Sequence, residues 1–222
     1  KMASHVSHTG VHDHGFNNLS TYGNLLRLMH EGKIADNAWE REFYRLAIKI
    51  SGAVQASRWT SIPEGGFIHS FNGPHSLFVD TIRSCRILVT SHLMGHRYHA
   101  EGDIKISLLE RALQHIVSTA KYSIYYGEGR DTYDVWGRTA HESIFNTNDG
   151  QYRCPNTQQG YSGFSTWTRG LAWAMLGFSE ELEAFANLED SAFETLGGKE
   201  NIIKTMEKAA QACCDFYIEH TP

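Results

Sequence analysis

Several common functional signatures are missing from this sequence, and each absence narrows the field. The chain holds only four cysteines in 222 residues, Cys85, Cys154, Cys213 and Cys214. No CxxC pair occurs and the density is far below that of a disulfide scaffold, so a zinc-ribbon or disulfide-stapled module is excluded. Cys213 and Cys214 are adjacent in what reads as a helix, where cysteine serves as a small core residue. No apolar run approaches the roughly 20 residues that span a bilayer. Lys and Arg form no clustered excess and the formal charge is −5, which argues against nucleic acid and against an anionic membrane surface as partners. The opening Lys1-Met2-Ala3-Ser4-His5 has no charged region followed by an apolar one and so is no signal peptide. Cytoplasmic and periplasmic locations remain equally open. Nucleophile elbow, phosphate loop and dinucleotide fingerprint are all missing, as is a short-period helical repeat.

What is present suits a folded protein, with 41% hydrophobic and 12% aromatic residues, enough for a sizeable core. Trp39, Phe43, Leu46, Ala47, Ile50 and Val54 recur at helical spacing, with Asp36 or Asn37 placed to cap the first turn. Ile106–Tyr125 and the run from Ile202 to Phe216 repeat the pattern, the latter after Gly197-Gly198. His75–Leu93 and Thr166–Phe185 are apolar on nearly all sides, as buried helices are, and a further helix is expected over Leu19–His30. Long Gly-rich and aromatic loops, 58–74 and 127–164, separate them. The second greatly exceeds ordinary connections, and such loops are usually functional. Short strands can sit within these loops, but the expected class is all-α. Amphipathic helices alternating with buried ones fit a toroid with an inner and an outer ring. Six or seven helices are too few for a closed ring of twelve, so residues 1–222 are expected to form one toroid domain that is incomplete at both ends.

Three clusters carry potential chemistry. In Val11-His12-Asp13-His14-Gly15-Phe16, Asp13 lies between two histidines before a helix. The simpler explanation is an acid favoured by the helix dipole. Asp80, in Phe78-Val79-Asp80-Thr81-Ile82, sits among large apolar residues, where a carboxylate must be paired or face a cavity. Burial raises a carboxyl pKa, as a general acid requires, although an ion pair with Arg83 or Arg86 explains the position equally well. In Trp167-Thr168-Arg169-Gly170-Leu171-Ala172-Trp173, Arg169 and Trp173 share a helix face. They suit a carboxylate and a sugar ring, or else a purely structural cation–π pair. His5, His8, His12 and His14 match no established metal-site spacing, so no metal or other cofactor is expected. Asn18-Leu19-Ser20 matches a glycosylation acceptor, a tripeptide too common to decide anything.

Taken together, His12-Asp13-His14-Gly15-Phe16, Phe78-Val79-Asp80-Thr81-Ile82, Thr157-Gln158-Gln159-Gly160-Tyr161-Ser162 and Trp167–Trp173 resemble the unsaturated glucuronyl hydrolases of glycoside hydrolase family 88. The related unsaturated rhamnogalacturonyl hydrolases of family 105 share the pattern. The order and separation of these motifs, spread over most of the chain, carry the resemblance. It implies an (α/α)6 barrel and release of 4,5-unsaturated uronic acids from lyase-generated oligosaccharides. In that reaction an aspartate protonates a vinyl-ether double bond, water adds at the adjacent carbon, and the resulting hemiketal opens.

The resemblance implies Asp80 as the acid/base, helped by Asp13, and His141, Gln159, Trp167, Arg169 and Trp173 as sugar-binding residues. A second carboxylate nearby would raise the pKa of Asp80 further. The chain departs from the family at Gly163-Phe164, where aspartates are common, at Gln158, where histidine is common, and at His14, and these departures bear on the substrate more than on the reaction. Two other readings stand beside it, a conventional acid/base glycosidase acting on a saturated glycoside and a non-catalytic helical protein that binds sugar acids.

Overall fold

A computed structural model describes residues 3–221; Lys1 and Met2 of the opening segment lie outside it. Seven α-helices are present among the described residues. They are α1 (His14–Asn18), α2 (Asn24–His30), α3 (Ala38–Ser57), α4 (Cys85–Leu93), α5 (Leu108–Tyr122), α6 (Thr168–Phe185) and α7 (Lys199–His220). A π-helical turn, Leu19–Gly23, joins α1 to α2. None of the helices is long and apolar enough to cross a membrane.

Local chemistry sets several of the boundaries. Asn37 caps α3 by accepting from the N–H groups of Trp39 and Glu40, at 3.0 and 3.2 Å. Ser107 caps α5 through Glu110 N–H at 3.2 Å. Gly197 and Gly198, with φ of 87° and 90°, break the chain before α7, a conformation that costs glycine little. One apolar stripe is only half used. Ala47 and Val54 of α3 are buried, whereas Trp39 is 75% exposed.

The chain is mainly helical, as expected. Among the described residues seven short strands also form three small antiparallel sheets. Loop 58–74 folds into a hairpin of β1 (Trp59–Ile62) and β2 (Gly65–Ile68). A second sheet orders β3 (Ser76–Phe78), β6 (Glu142–Phe145) and β7 (Tyr152–Asn156) as β3-β6-β7. β4 (Tyr98–His99) and β5 (Lys105–Ile106) form the third.

The expected helix over His75–Leu93 therefore splits into three parts. β3 pairs with β6, residues Val79–Ser84 form a 3₁₀ segment, and only then does α4 begin. A continuous apolar run does not reveal its own period, and cross-strand pairing decides the conformation here.

The main core joins α3, α4, α5, α6 and α7 through residues such as Ile48, Leu88, Ile116, Phe178 and Met206. A smaller cluster of Ile62, Phe67, Leu77 and Phe145 lies beneath the hairpin and the three-stranded sheet. Cys85 and Cys213 are buried, Cys214 is half-buried and Cys154 is exposed. Asn18 is also buried, its side chain donating to the His14 carbonyl at 2.9 Å, which leaves no room for a glycan on the folded chain.

Candidate active site

Asp80 and Asp13 come from different elements and converge. Pairing of β3 with β6 continues one step further, with Val79 N–H donating to the His141 carbonyl at 3.0 Å. That bond sets Asp80, the second residue of the 3₁₀ segment, beside the start of β6. From the other side, α6 presses on the same segment at Gly177. A Cβ there would lie 2.3 Å from Ile82 Cγ2, closer than any real packing contact, so only glycine permits this approach.

Backbone hydrogen bonds hold the His12–Gly15 loop in place. Gln55 Nε2 and Ser84 Oγ both donate to the His12 carbonyl, at 2.8 and 3.0 Å, while Gly15 N–H donates to Gln55 Oε1 at 3.0 Å. Gly15 leans on α4, where a Cβ would meet Ile87 Cγ2 at 2.6 Å.

The two carboxylates meet at Arg83. Its Nη2 donates to Asp13 Oδ1 and lies 3.7 Å from Asp80 Oδ2. Asp13 occupies the N-cap position of α1, yet its side chain makes no cap hydrogen bond; the arginine takes it instead. Arg86, the other partner considered for Asp80, donates to the Glu180 carbonyl. Arg83 is sandwiched by aromatics, its guanidinium carbon 3.8 Å from the Trp173 ring centre and 4.4 Å from that of Phe16. The ring of Trp173 thus supports Arg83. Arg169, which shares its helix face, packs over Trp167 at 4.6 Å, so the Arg169–Trp173 cation–π pair does not form.

His12 completes the cluster. Its Nε2 donates to Asp80 Oδ2 at 3.3 Å and lies 3.7 Å from Asp13 Oδ1. The buried ring packs against Phe71 and Phe78 at 5.6 and 5.1 Å. The second oxygen of Asp80, Oδ1, is buried without a partner, as is Nε2 of His141. Buried polar atoms normally find partners; with His12 Nδ1 and Arg83 Nε, four unpaired ones belong to the residues of this site.

The expected rise in the Asp80 pKa is not what this geometry gives. Burial pushes it up, but the His12 hydrogen bond, together with the charges of His12 and Arg83, holds the carboxyl below its ordinary value. Asp13 does not act as a free like charge because Arg83 is bonded to it. For His141, burial lowers the pKa against the opposing pull of Asp80 and Glu142, so a neutral imidazole is favoured.

Of the other expected residues, His141 is buried and packs on Trp167 at 4.1 Å and on Phe78 at 4.6 Å. Gln159 and Arg169 are both exposed and bond to each other, Arg169 Nη2 donating to Gln159 Oε1. No carboxylate among the described residues pairs with Arg169, which leaves a cation without an ion-pair partner in the first turn of α6, next to Trp167.

The N-terminal histidines are not gathered on one point. His14 donates to the His5 carbonyl at 2.9 Å and contacts Ser51 Oγ at 2.8 Å. His12, Asp13 and Asp80 do offer ligand atoms within 4.8 Å of one another. The Arg83 guanidinium already supplies positive charge to both carboxylates, so this donor set is a poor fit for a metal ion. His12, Arg83, Phe16 and Phe71 are the contributors that the sequence motifs did not single out as site residues.

No protein-family model and no curated protein matches the chain by sequence. Solved structures do match it in fold. An unsaturated glucuronyl hydrolase from Bacillus sp. GL1, responsible for the degradation of glycosaminoglycan, superposes with a TM-score of 0.65 at 17% identity. The match covers 96% of this chain and 46% of that one. An unsaturated glucuronyl hydrolase specific for heparin gives 0.67 at 17% identity, covering 99% and 48%. An aspartate-to-asparagine variant described with the oligosaccharide dGlcA-Glc-Rha-Glc gives 0.67 at 17% identity, covering 100% and 48%. The structural neighbours are thus unsaturated glucuronyl hydrolases, and this chain shares their fold while spanning about half their length.

Proposed function

We propose that this chain forms part of one toroid domain of the (α/α)6 barrel type, incomplete at both ends, and that it belongs to a glycoside hydrolase of the unsaturated glucuronyl class. Its substrate would be a lyase-generated oligosaccharide ending in a 4,5-unsaturated uronic acid, and no cofactor is invoked. The observation that carries the reading is the convergence of Asp80, Asp13, His12 and Arg83, with Asp80 Oδ1 and His141 Nε2 left unpartnered. The shared fold of the glucuronyl hydrolases supports it.

In this reading Asp80 protonates C4 of the vinyl ether through its free oxygen. It then takes a proton from the water that adds at C5, so one carboxylate serves as acid and then as base. The hemiketal formed at C5 opens and the leaving sugar departs. In the free protein the cations around Asp80 hold it as a carboxylate. The substrate brings its own carboxylate, and a like charge nearby raises the pKa of Asp80, so binding itself favours the protonated acid. Arg169, which lacks an ion-pair partner, receives the uronate as a bidentate donor, beside Gln159. Trp167 offers a stacking surface, His141 donates to the sugar, and Trp173 supports Arg83.

The conventional glycosidase reading needs two independent carboxylates on opposite sides of a glycosidic bond. Here Asp13 and Asp80 both face one guanidinium, which favours chemistry run by a single carboxylate. The test follows the ultraviolet absorbance of the conjugated uronic acid in lyase-derived disaccharides. Wild type is expected to remove the band, and Asp80→Asn to do so roughly 100- to 10,000-fold more slowly, the span of a lost general acid–base. An unchanged band with both proteins, while a saturated uronide is cut, would overturn the proposal. Equal sugar-acid binding by both without turnover would instead identify a binding protein.

A further inference from the structure

Glu142 follows His141 directly and opens β6, and it is completely buried. A buried carboxylate ordinarily requires a cation, yet none of the ion pairs among the described residues includes Glu142. Four neutral donors hold it instead. Asn72 Nδ2 and Ser76 Oγ donate to Oε1 at 3.0 and 2.5 Å. Asn156 Nδ2 and Gln158 Nε2 donate to Oε2 at 2.7 and 2.9 Å. The β3-β6-β7 sheet is already joined by its backbone ladder, so packing alone does not call for an acid here.

The connections of these donors suggest what the acid is for. Gln158 also donates its backbone N–H to His141 Nδ1 at 3.2 Å. Thr157 Oγ1 lies 3.0 Å from the same nitrogen and itself accepts from Gly160 N–H at 2.9 Å. A ring nitrogen that accepts an N–H carries no proton, so the neutral imidazole must be protonated at Nε2. That Nε2 is the buried atom left without a partner. On the opposite side, Asn72 follows Phe71, which stacks on His12 at 5.6 Å.

We propose that Glu142 is a positioning residue that clamps Asn156 and Gln158 against Asn72 and Ser76 and so fixes His141 as the Nε2–H tautomer, a directed donor for an oxygen of the bound sugar. The identity of that oxygen rests on the function proposed above, whereas the tautomer is a property of the free protein. Glu142→Gln keeps the shape but sets an amide NH₂ against two of the four donors.

The test is long-range ¹H–¹⁵N correlation on ¹⁵N-histidine protein, with the His141 signals assigned by their loss in His141→Asn. Wild type is expected to show a protonated Nε2 and a bare Nδ1. Glu142→Gln is expected to show a mixture with Nδ1–H, alongside a fall of at least about tenfold in kcat/KM on an unsaturated disaccharide. Gln158→Ala, at an exposed position, is expected to shift the tautomer in the same direction even if Glu142→Gln does not fold. The exchange Glu142→Gln with Gln158→Glu restores an acceptor–donor pair and should recover Nε2–H. An Nδ1–H wild type, or a folded Glu142→Gln with the wild-type tautomer, overturns the proposal. Absence of turnover by wild type would count against the proposed function and leave the tautomer result to decide the role of Glu142.

Discussion

Asp80 lies under opposing influences, with burial favouring its proton and His12 and Arg83 favouring the charge. If the charge-favouring group is weakened while burial stays, the balance tips toward the proton. His12→Phe does this, because a phenyl ring retains the packing against Phe71 and Phe78 but loses the donor to Oδ2. The Asp80 pKa should then rise. Since the proposed reaction needs the protonated acid, wild-type activity is expected to decline as pH increases through that pKa, and in His12→Phe the decline should begin at higher pH. A kcat/KM profile against pH checks this; an unmoved alkaline limb would mean that Asp80 is not the group titrating. The motif around Asp13 was legible in the sequence, yet nothing in it distinguished His12 from His14. One ring reaches Asp80 and the other ties the chain to His5 and Ser51, a choice made by tertiary contacts 37 and 68 residues away in sequence.

The elements that present these residues are held by close approaches. Gly177 lets α6 lie against Ile82 two residues after Asp80. Gly177→Ala would force α6 outward or push Ile82 out of its rotamer, at a cost of about 1–3 kcal/mol for an overpacked core. Denaturant unfolding should register that loss. Turnover should fall with it, because the displaced segment carries the proposed acid; a variant of unchanged stability and activity would show that the helix does not set the position of Asp80. Helical periodicity made α3, α5 and α7 readable to within a few residues of their ends, and α6 was readable as a buried apolar run. β3 was not readable. It has three residues, all buried, so it lacks the alternation that marks a half-exposed strand, and its partner β6 lies more than sixty residues further along the chain.

At the scale of the whole molecule, a helical framework packs around the main core while the small β3-β6-β7 sheet sets His141 beside the Asp80 segment, with Glu142 and Gln158 behind it. That division explains why the resemblance drawn from scattered motifs and the likeness in fold point the same way at 17% identity. The motifs are the segments that meet at the site, and the helices between them need only the right period and volume. The pairing of Asp13 with Arg83, and the four donors on Glu142, depend on contacts between distant segments that no local pattern encodes.

The central claim is that a proton is delivered to carbon. Running the reaction of the full chain in D₂O with an unsaturated uronyl disaccharide, and examining the released uronic acid by NMR and mass spectrometry, tests this directly. Hydration started by Asp80 predicts one deuterium added to a single face of C4 of the product, read at early times before the hydrogens next to the C5 ketone exchange with solvent. Release of the sugar with no deuterium on carbon would contradict the account and assign the cleavage to displacement at the anomeric carbon.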